Sequence, residues 1–445
     1  MNSLRILLTA AAVCFAACSQ AQIALPSLPT PQLQLPVPLP QPAQVLRGVN
    51  QMVPRPLLSS VRLRARELLR RYPRQVERDP RGAPAMRAVV LALSPADQAL
   101  QQAQARGFQI QTDQTLQPAG ERVVTLLVPD GLSTQRALQQ LRAADPEGSY
   151  DFDHLFVESA PAEPTQSTPA RATATATAHG GGAMPAAVAI RVGLIDGGVD
   201  VDHPVFATQR PQLSGCGGGS VPSAHGTAVA SLFVGRSPEF HGAAPGAQLV
   251  AVDVYCGRDA PGGRVRDIVL GLGDLMSADV RVINLSVVGP DNAVLAAVIR
   301  KVIARSIIIV AATGNDGPNA APLYPAAYPG VVAVTAVDAH AKVLMEACGG
   351  EHVRFAAPGA DMLAAAPGAG YTAVRGTSYA SPLVAGLLAR LLLRQAPMPV
   401  EEVVRQLAMT AQDMGKRGRD RRYGYGLVGM ELRTDAAHFV GRMAQ

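Results

Sequence analysis

The chain has no tryptophan, and its 445 residues include only nine tyrosines and nine phenylalanines. Single-stranded nucleic acid is gripped by aromatics set among basic residues. Without that interleaving, a nucleic-acid role rests on charge alone. Cysteine is also scarce, at five, and no Cys-x-x-Cys or Cys/His spacing suits zinc. After the first twenty residues no apolar run is long enough to cross a bilayer. The charge excess is small, 40 basic against 34 acidic side chains. Much of it sits in Arg62, Arg64, Arg66, Arg70, Arg71, Arg74, Arg78 and Arg81. That cluster reads as a solvated basic helix near 60–71. A surface- or nucleic-acid-binding role would need salt-sensitive binding through it.

What is present begins with a targeting segment. Arg5 precedes an apolar stretch from Ile6 to Ala17, and Ser19-Gln-Ala21 offers a small-x-small cleavage site before Gln22. Residues 1–21 are therefore expected to be a signal peptide, and the protein to be exported, secreted or periplasmic. Phe15-Ala-Ala-Cys18 is near a lipobox, so a lipid anchor on Cys18 is the lesser alternative. Removal of the signal leaves Cys216, Cys256 and Cys348. Export permits a disulfide; Cys216 and Cys256, both in Gly-rich loops, are the expected pair, with Cys348 left over.

Composition divides the rest. Residues 22–85 form a Pro-rich and basic extension. Residues 86–158 show strand, helix, strand, strand, helix, strand: Met86–Leu93, a helix capped by Ser94-Pro95 and ending near Ala105, Phe108–Thr115, Arg122–Val128, a helix from Ser133 to Ala144, and Tyr150–Val157. That order predicts a small α+β ferredoxin-like unit. Residues 159–186, rich in Thr, Ala, Ser, Pro and Gly, read as a flexible, accessible linker. From 187 to 440, Val/Ile-rich runs alternate with helical stretches: Val192–Ile195, Gln248–Val254, Val280–Leu285, Ile307–Ala311 and Val331–Val337. The fold class is α/β, a parallel sheet with helices on both faces.

Three short segments carry chemistry. Asp196 closes a buried strand before Gly197 and Gly198, His225 opens a helix in Ala224-His-Gly-Thr-Ala228, and Ser378 opens another in Gly376-Thr-Ser-Tyr-Ala-Ser-Pro382. A serine hydroxyl needs a base to become a nucleophile, and that base needs an orienting carboxylate. With Ala311-Ala-Thr-Gly-Asn315, Tyr328 to Asp338, Ala356-Ala-Pro-Gly359 and Tyr423-Gly-Tyr-Gly, these blocks resemble the subtilisin-like serine proteases. Asp…His…Ser is that family's chain order.

The resemblance implies a triad of Asp196, His225 and Ser378, with Asn315 donating to the oxyanion. It implies Ser286, Val287, Val288 and Gly289 as the substrate-binding strand, 86–158 as a propeptide inhibiting its own enzyme, and a maturation cut in the linker. Val288 stands where the family has Gly, which is expected to narrow or reshape the subsites. Val205 replaces the Asp of the family's strong calcium site, so no calcium is expected there, with a weak ion elsewhere left open; no metal ligand set and no cofactor are expected. His203 is expected to be structural, and His154 to have a surface or packing role. The function expected is a secreted serine endopeptidase made as an autoinhibited zymogen, cutting protein or peptide substrates through an acyl-enzyme. The alternative is a catalytically silent binding or scaffold protein on the same fold.

Overall fold

The computed structural model describes residues 61–159, 190–238, 240–257, 261–368, 370–394 and 398–435. The signal segment, Cys18, the Pro-rich stretch and all of the expected linker beyond Ser159 lie outside these residues.

The described chain opens with helix α1 (Val61–Arg71) and strand β1 (Val76–Arg78). Then follow β2 (Pro84–Leu93), α2 (Asp97–Ala105), β3 (Gln109–Leu116), β4 (Glu121–Leu127), α3 (Thr134–Ala144) and β5 (Ser149–Glu158). These strands pair antiparallel in the order β5-β2-β4-β3. Alternation along β2 explains why the whole strand is apolar. Val90 and Ala92 face Leu100, Leu138 and Leu141 of the two helices. Leu91 and Leu93 face the other way, into a core shared with the C-terminal part of the chain. Helix α2 starts later than the sequence suggests. Ser94 is turned to φ +48 and bonds Glu121, so it does not cap; Ala96 takes the cap position and donates to Asp145.

The C-terminal part runs β6 (Arg191–Asp196), β7 (Gln212–Gly215), α4 (Ala224–Val234), β8 (Gln248–Asp253), β9 (Gly263–Arg264) and α5 (Val265–Ser277). It continues through β10 (Val282–Leu285), β11 (Val287–Val288), α6 (Ala293–Ala304), β12 (Ile308–Ala312), β13 (Val332–Val337) and β14 (Val353–Pro358). Last come β15 (Met362–Ala366), β16 (Gly370–Val374), α7 (Thr377–Arg394) and α8 (Val400–Thr410). The main sheet is parallel in the order β14-β13-β12-β10-β6-β8-β7.

Both faces of this sheet are covered, as continuous Val/Ile runs require. Val192, Leu194, Val282, Ile308 and Val310 point to the layer holding α4, α7 and α8. Ile195, Val250, Val252, Ile283 and Ile309 point to the layer of α5 and α6, where Leu91 and Phe156 also pack. At Gly193 a Cβ would sit 2.8 Å from Leu275 of α5, so the missing side chain sets the helix-to-sheet distance.

Strand β5 ties the two parts together. Beyond its partner β2 it pairs with β9 through Leu155 and Phe156, and with β11 through Val157 and Glu158. Its side chains also serve helix starts. Asp153 accepts from the backbone N–H of Arg266 at 3.0 Å, and Asp151 from that of Ala293 at 2.7 Å. Carboxylates there complement the free N–H groups and the positive end of a helix. Asp153 also pairs with Arg264 at 2.6 Å. His154 proves to be fully buried, between Asp79 and an amide N–H of Asn292 that donates to its Nδ1 at 2.9 Å.

Asp153→Ala removes a cap and strands a cation. Because Arg264 keeps access to water, the loss should sit near the low end for a broken buried pair, about 3 kcal/mol. The unfolding midpoint in denaturant checks this; an unshifted midpoint would show that β5 is not anchored through Asp153.

Candidate active site

Asp196 ends β6, a central strand of the parallel sheet, and its side chain is fully buried. Its Oδ1 accepts from the N–H of Gly197 at 2.6 Å, which fixes the carboxylate at the turn. His225 lies in the first turn of α4, whose N-cap Ser223 accepts from Gly226 at 2.9 Å. Gly226 lets this helix abut the turn: a Cβ there would fall 2.2 Å from the Gly197 carbonyl oxygen. The outcome is a 2.7 Å hydrogen bond between His225 Nδ1 and Asp196 Oδ1. His225 Nε2, the ring atom on the other side, has no hydrogen-bond partner among the described residues.

Ser378 lies in the first turn of α7, buried, after Gly376 at φ +141. Asn315 follows β12 and is held by the residue before Ser378. Thr377 N–H donates to Asn315 Oδ1 at 3.2 Å, while Gly314 N–H donates to Thr377 Oγ1 at 3.1 Å. With its oxygen engaged, the Asn315 amide aims its N–H₂ outward. Thr377 was visible in the sequence as part of a motif, but its orienting role was not.

Two of the four residues, Asn315 and Ser378, hydrogen-bond one more group, Ser159 at the end of β5. The carbonyl oxygen of Ser159 accepts from Asn315 Nδ2, and Ser159 Oγ lies against Ser378 Oγ. Ser159 N–H donates to the Ser286 carbonyl at 3.1 Å. Upstream, Glu158 and Val157 pair with Val287 and Val288. The Ser286 hydroxyl bonds the Ser378 carbonyl at 3.0 Å and Ser381 at 3.1 Å, so this strand is tied to the start of α7. Val288 does not obstruct the ladder, because pairing uses its backbone. The close approach falls one residue later, where a Cβ on Gly289 would lie 2.5 Å from the Phe156 ring. The groove beside β11 thus keeps its depth at Gly289 rather than at Val288.

The Glu158 carboxyl is buried against the pair. Desolvation raises its pKa, the Asp196 and Asp253 charges push the same way, and His225 and Arg64 oppose without winning. Burial would lower His225, but the carboxylates of Asp196 and Glu158 outweigh it and hold the imidazole above its usual range. Glu158, Asp196 and His225 have ligand atoms within 4.8 Å of one another, the spacing of a metal set. The direct Asp196–His225 bond, with both groups inside, fits an oriented base instead.

Cys216 and Cys256 are joined, with Cα atoms 5.2 Å apart. The bridge links the loop before His225 to the loop after β8. Asp253 braces both, accepting from Val221, Tyr255 and Cys256. Cys348 is a buried free thiol, pushed up to about 12 by burial. His203 caps a short 3₁₀ turn through Nδ1 and donates from Nε2 to the Gly370 carbonyl at 2.9 Å.

The sequence profile of the subtilase family matches residues 188–426, more than half of the chain. The chain belongs to the subtilase family. It is 32% identical over 315 residues to subtilisin E of Bacillus subtilis, spanning 67% of this chain and 78% of that protein. It is also 32% identical over 259 residues to a subtilisin of Bacillus pumilus, spanning 54% and 90% of the two chains. The structure of fervidolysin from Fervidobacterium pennivorans, described as a keratinolytic enzyme related to subtilisin, superposes with a TM-score of 0.64 at 19% identity. That overlay covers 78% of this chain and 61% of the other. This subtilase is a serine endopeptidase, and its substrates are proteins or peptides.

Docking of the β5 end should weaken as pH rises. Glu158 has an ordinary pKa when the end is free and a raised one when docked, so the docked state binds the proton more tightly. Docking strength is then fully present below the ordinary carboxylate range and lost as pH climbs through the raised value. Hydrogen-exchange protection of Val157–Ser159, followed against pH in a Ser378→Ala chain, should fall with pH and flatten in Glu158→Gln. An unchanged slope in Glu158→Gln would assign the titration elsewhere.

Proposed function

We propose that Asp196, His225, Ser378 and Asn315 form the working site of a secreted serine endopeptidase, and that its first substrate is its own chain. The observation that carries this is the Ser159 carbonyl, which accepts from Asn315 beside Ser378 while its strand lies in the β9–β11 groove. That is the arrangement a peptide needs on the acyl side of a bond about to be cut, or just cut.

The chemistry follows from the geometry. Ser378 Oγ adds to the Ser159 carbonyl carbon, and its proton passes to His225 Nε2. Asp196 keeps the imidazole oriented through Nδ1 and favours its charged form. Charge collecting on the carbonyl oxygen is met by Asn315 Nδ2 and by the free N–H groups at the start of α7. The bond to Ala160 then breaks, with His225 returning the proton to the leaving nitrogen. Water, deprotonated by His225, releases the acyl-enzyme as a Ser159 carboxyl group.

In this reading Ser286, Val287, Val288 and Gly289 pair with substrate backbone, and β2 to β5 with α2 and α3 form the propeptide. Its end lies in the cleft, so the uncleaved or freshly cleaved chain is self-blocked. Export is supported by the apolar segment of residues 6–17 and the cleavage pattern before Gln22.

Intact mass after identical expression should show the wild type split into two parts and Ser378→Ala whole. Asn315→Ala should slow the split by about 100- to 1,000-fold, the usual cost of losing one oxyanion donor. A fluorophosphonate probe should label Ser378 once the N-terminal part has left. A wild type that stays whole and unlabelled would favour the scaffold reading instead.

A further inference from the structure

Helix α1 lies upstream of the propeptide-like strands, and its arginines suggest a solvated surface helix. The structure gives it a packed face. Val61, Arg64, Ala65, Leu68 and Leu69 are half-buried, while Arg62, Arg66, Arg70 and Arg71 are exposed. That is the i, i+3, i+4, i+7, i+8 stripe of a helix laid on a surface; β1 and β2 form part of that surface, and the cleft forms the rest. At one end Val61 N–H donates to Asp316 at 2.6 Å, beside Asn315. At the other, Leu68 lies 3.6 Å from the Cβ position of Gly262, next to β9. Helix α1 therefore crosses over the docked end of β5, from the Asn315 side to the β9 side.

Arg64 is the residue that reaches inward. Nη1 donates to the Glu158 carbonyl and Nη2 to the Ser159 carbonyl at 3.3 Å. Its Nε is shielded from solvent. The Ser159 oxygen thus receives a neutral amide N–H from Asn315 and a cationic one from Arg64. A guanidinium forks naturally onto two acceptors. Here the fork spans consecutive carbonyls, which holds the strand's orientation just before the bond to be cut.

We propose that Arg64 is a cis-acting catalytic residue of self-cleavage, a charged donor that the propeptide side brings to the Ser159 carbonyl and holds there through α1. This rests on the reading that the Ser159–Ala160 bond is the chain's own substrate. As charge develops on the carbonyl oxygen, a nearby cation gains more from it than from the ground state. Once the N-terminal part departs, Arg64 goes with it, so later substrates are cut without this donor. The first cut is therefore favoured over every later one.

The test is the first-order rate at which the intact chain disappears, followed by mass at several protein dilutions so that only the intramolecular reaction counts. A hydrogen bond from a charged donor is worth about 1.5–3 kcal/mol, so Arg64→Ala should slow the split by about 10- to 100-fold. Arg64→Lys keeps the charge without the fork and should recover part of the rate. Arg70→Ala, an exposed change on the same helix, should split at the wild-type rate. Equal unfolding midpoints for Ser378→Ala and for Ser378→Ala/Arg64→Ala would exclude misfolding as the cause. If Arg64→Ala splits as fast as the wild type, or faster, the proposal is overturned while the self-cleavage reading stands. If the wild type does not split at all, the underlying reading fails and takes this one with it.

Discussion

Strand β5 belongs to two sheets at once, and most of the arrangement depends on that. Its middle pairs with β2 inside the N-terminal unit, and its end pairs with β9 and β11 inside the cleft. A strand held along one length cannot slide along the other, because a slip of one residue would turn each side chain to the opposite face. Phe156 over Gly289, Glu158 against His225 and Ser159 at Ser378 are therefore fixed together. Asp151 and Asp153 fix the same register from outside, by meeting the starts of α6 and α5.

The electrostatics at this junction are closely balanced. Asp196 and His225, both buried, and Glu158 and Arg64, both partly buried, bring two carboxylates and two cationic groups close together. Buried charge is costly unless paired. The docked state is tolerable because each charge faces an opposite one. Removing the end of β5 would take Glu158 away and leave the simpler Asp196–His225 couple. If the chain is the self-blocked precursor proposed above, latency and activity would differ by which charges share the cavity, with the Asp196–His225 bond common to both.

Much of the fold was legible because buried parallel strands advertise themselves. The runs around Val192, Gln248, Val280, Ile307 and Val331 fall on β6, β8, β10, β12 and β13. Two members of the sheet escaped. Strand β7, Gln212–Gly215, lies at the edge and carries no apolar run; β14, Val353–Pro358, was visible only as a motif. Helix α2 was placed too early because Ser94 resembles a cap, yet its backbone is turned away to meet Glu121. Around the site, residue types at strand ends and helix starts were readable as candidates. Partnerships across the chain were not. Thr377 orienting Asn315, His154 buried between Asp79 and Asn292, and Arg64 lying in the cleft all join positions far apart in sequence. Eight arginines in a row of twenty residues look like solvent exposure until one of them has a carbonyl to meet.

The most direct test of the account is the C-terminal residue of the N-terminal fragment released from purified wild-type chain. The docked register requires the fragment to end at Ser159, read from its mass before any trimming. A first fragment ending anywhere in 160–186 would mean that β5 is not seated at Ser378 when the bond is cut, and would contradict the account.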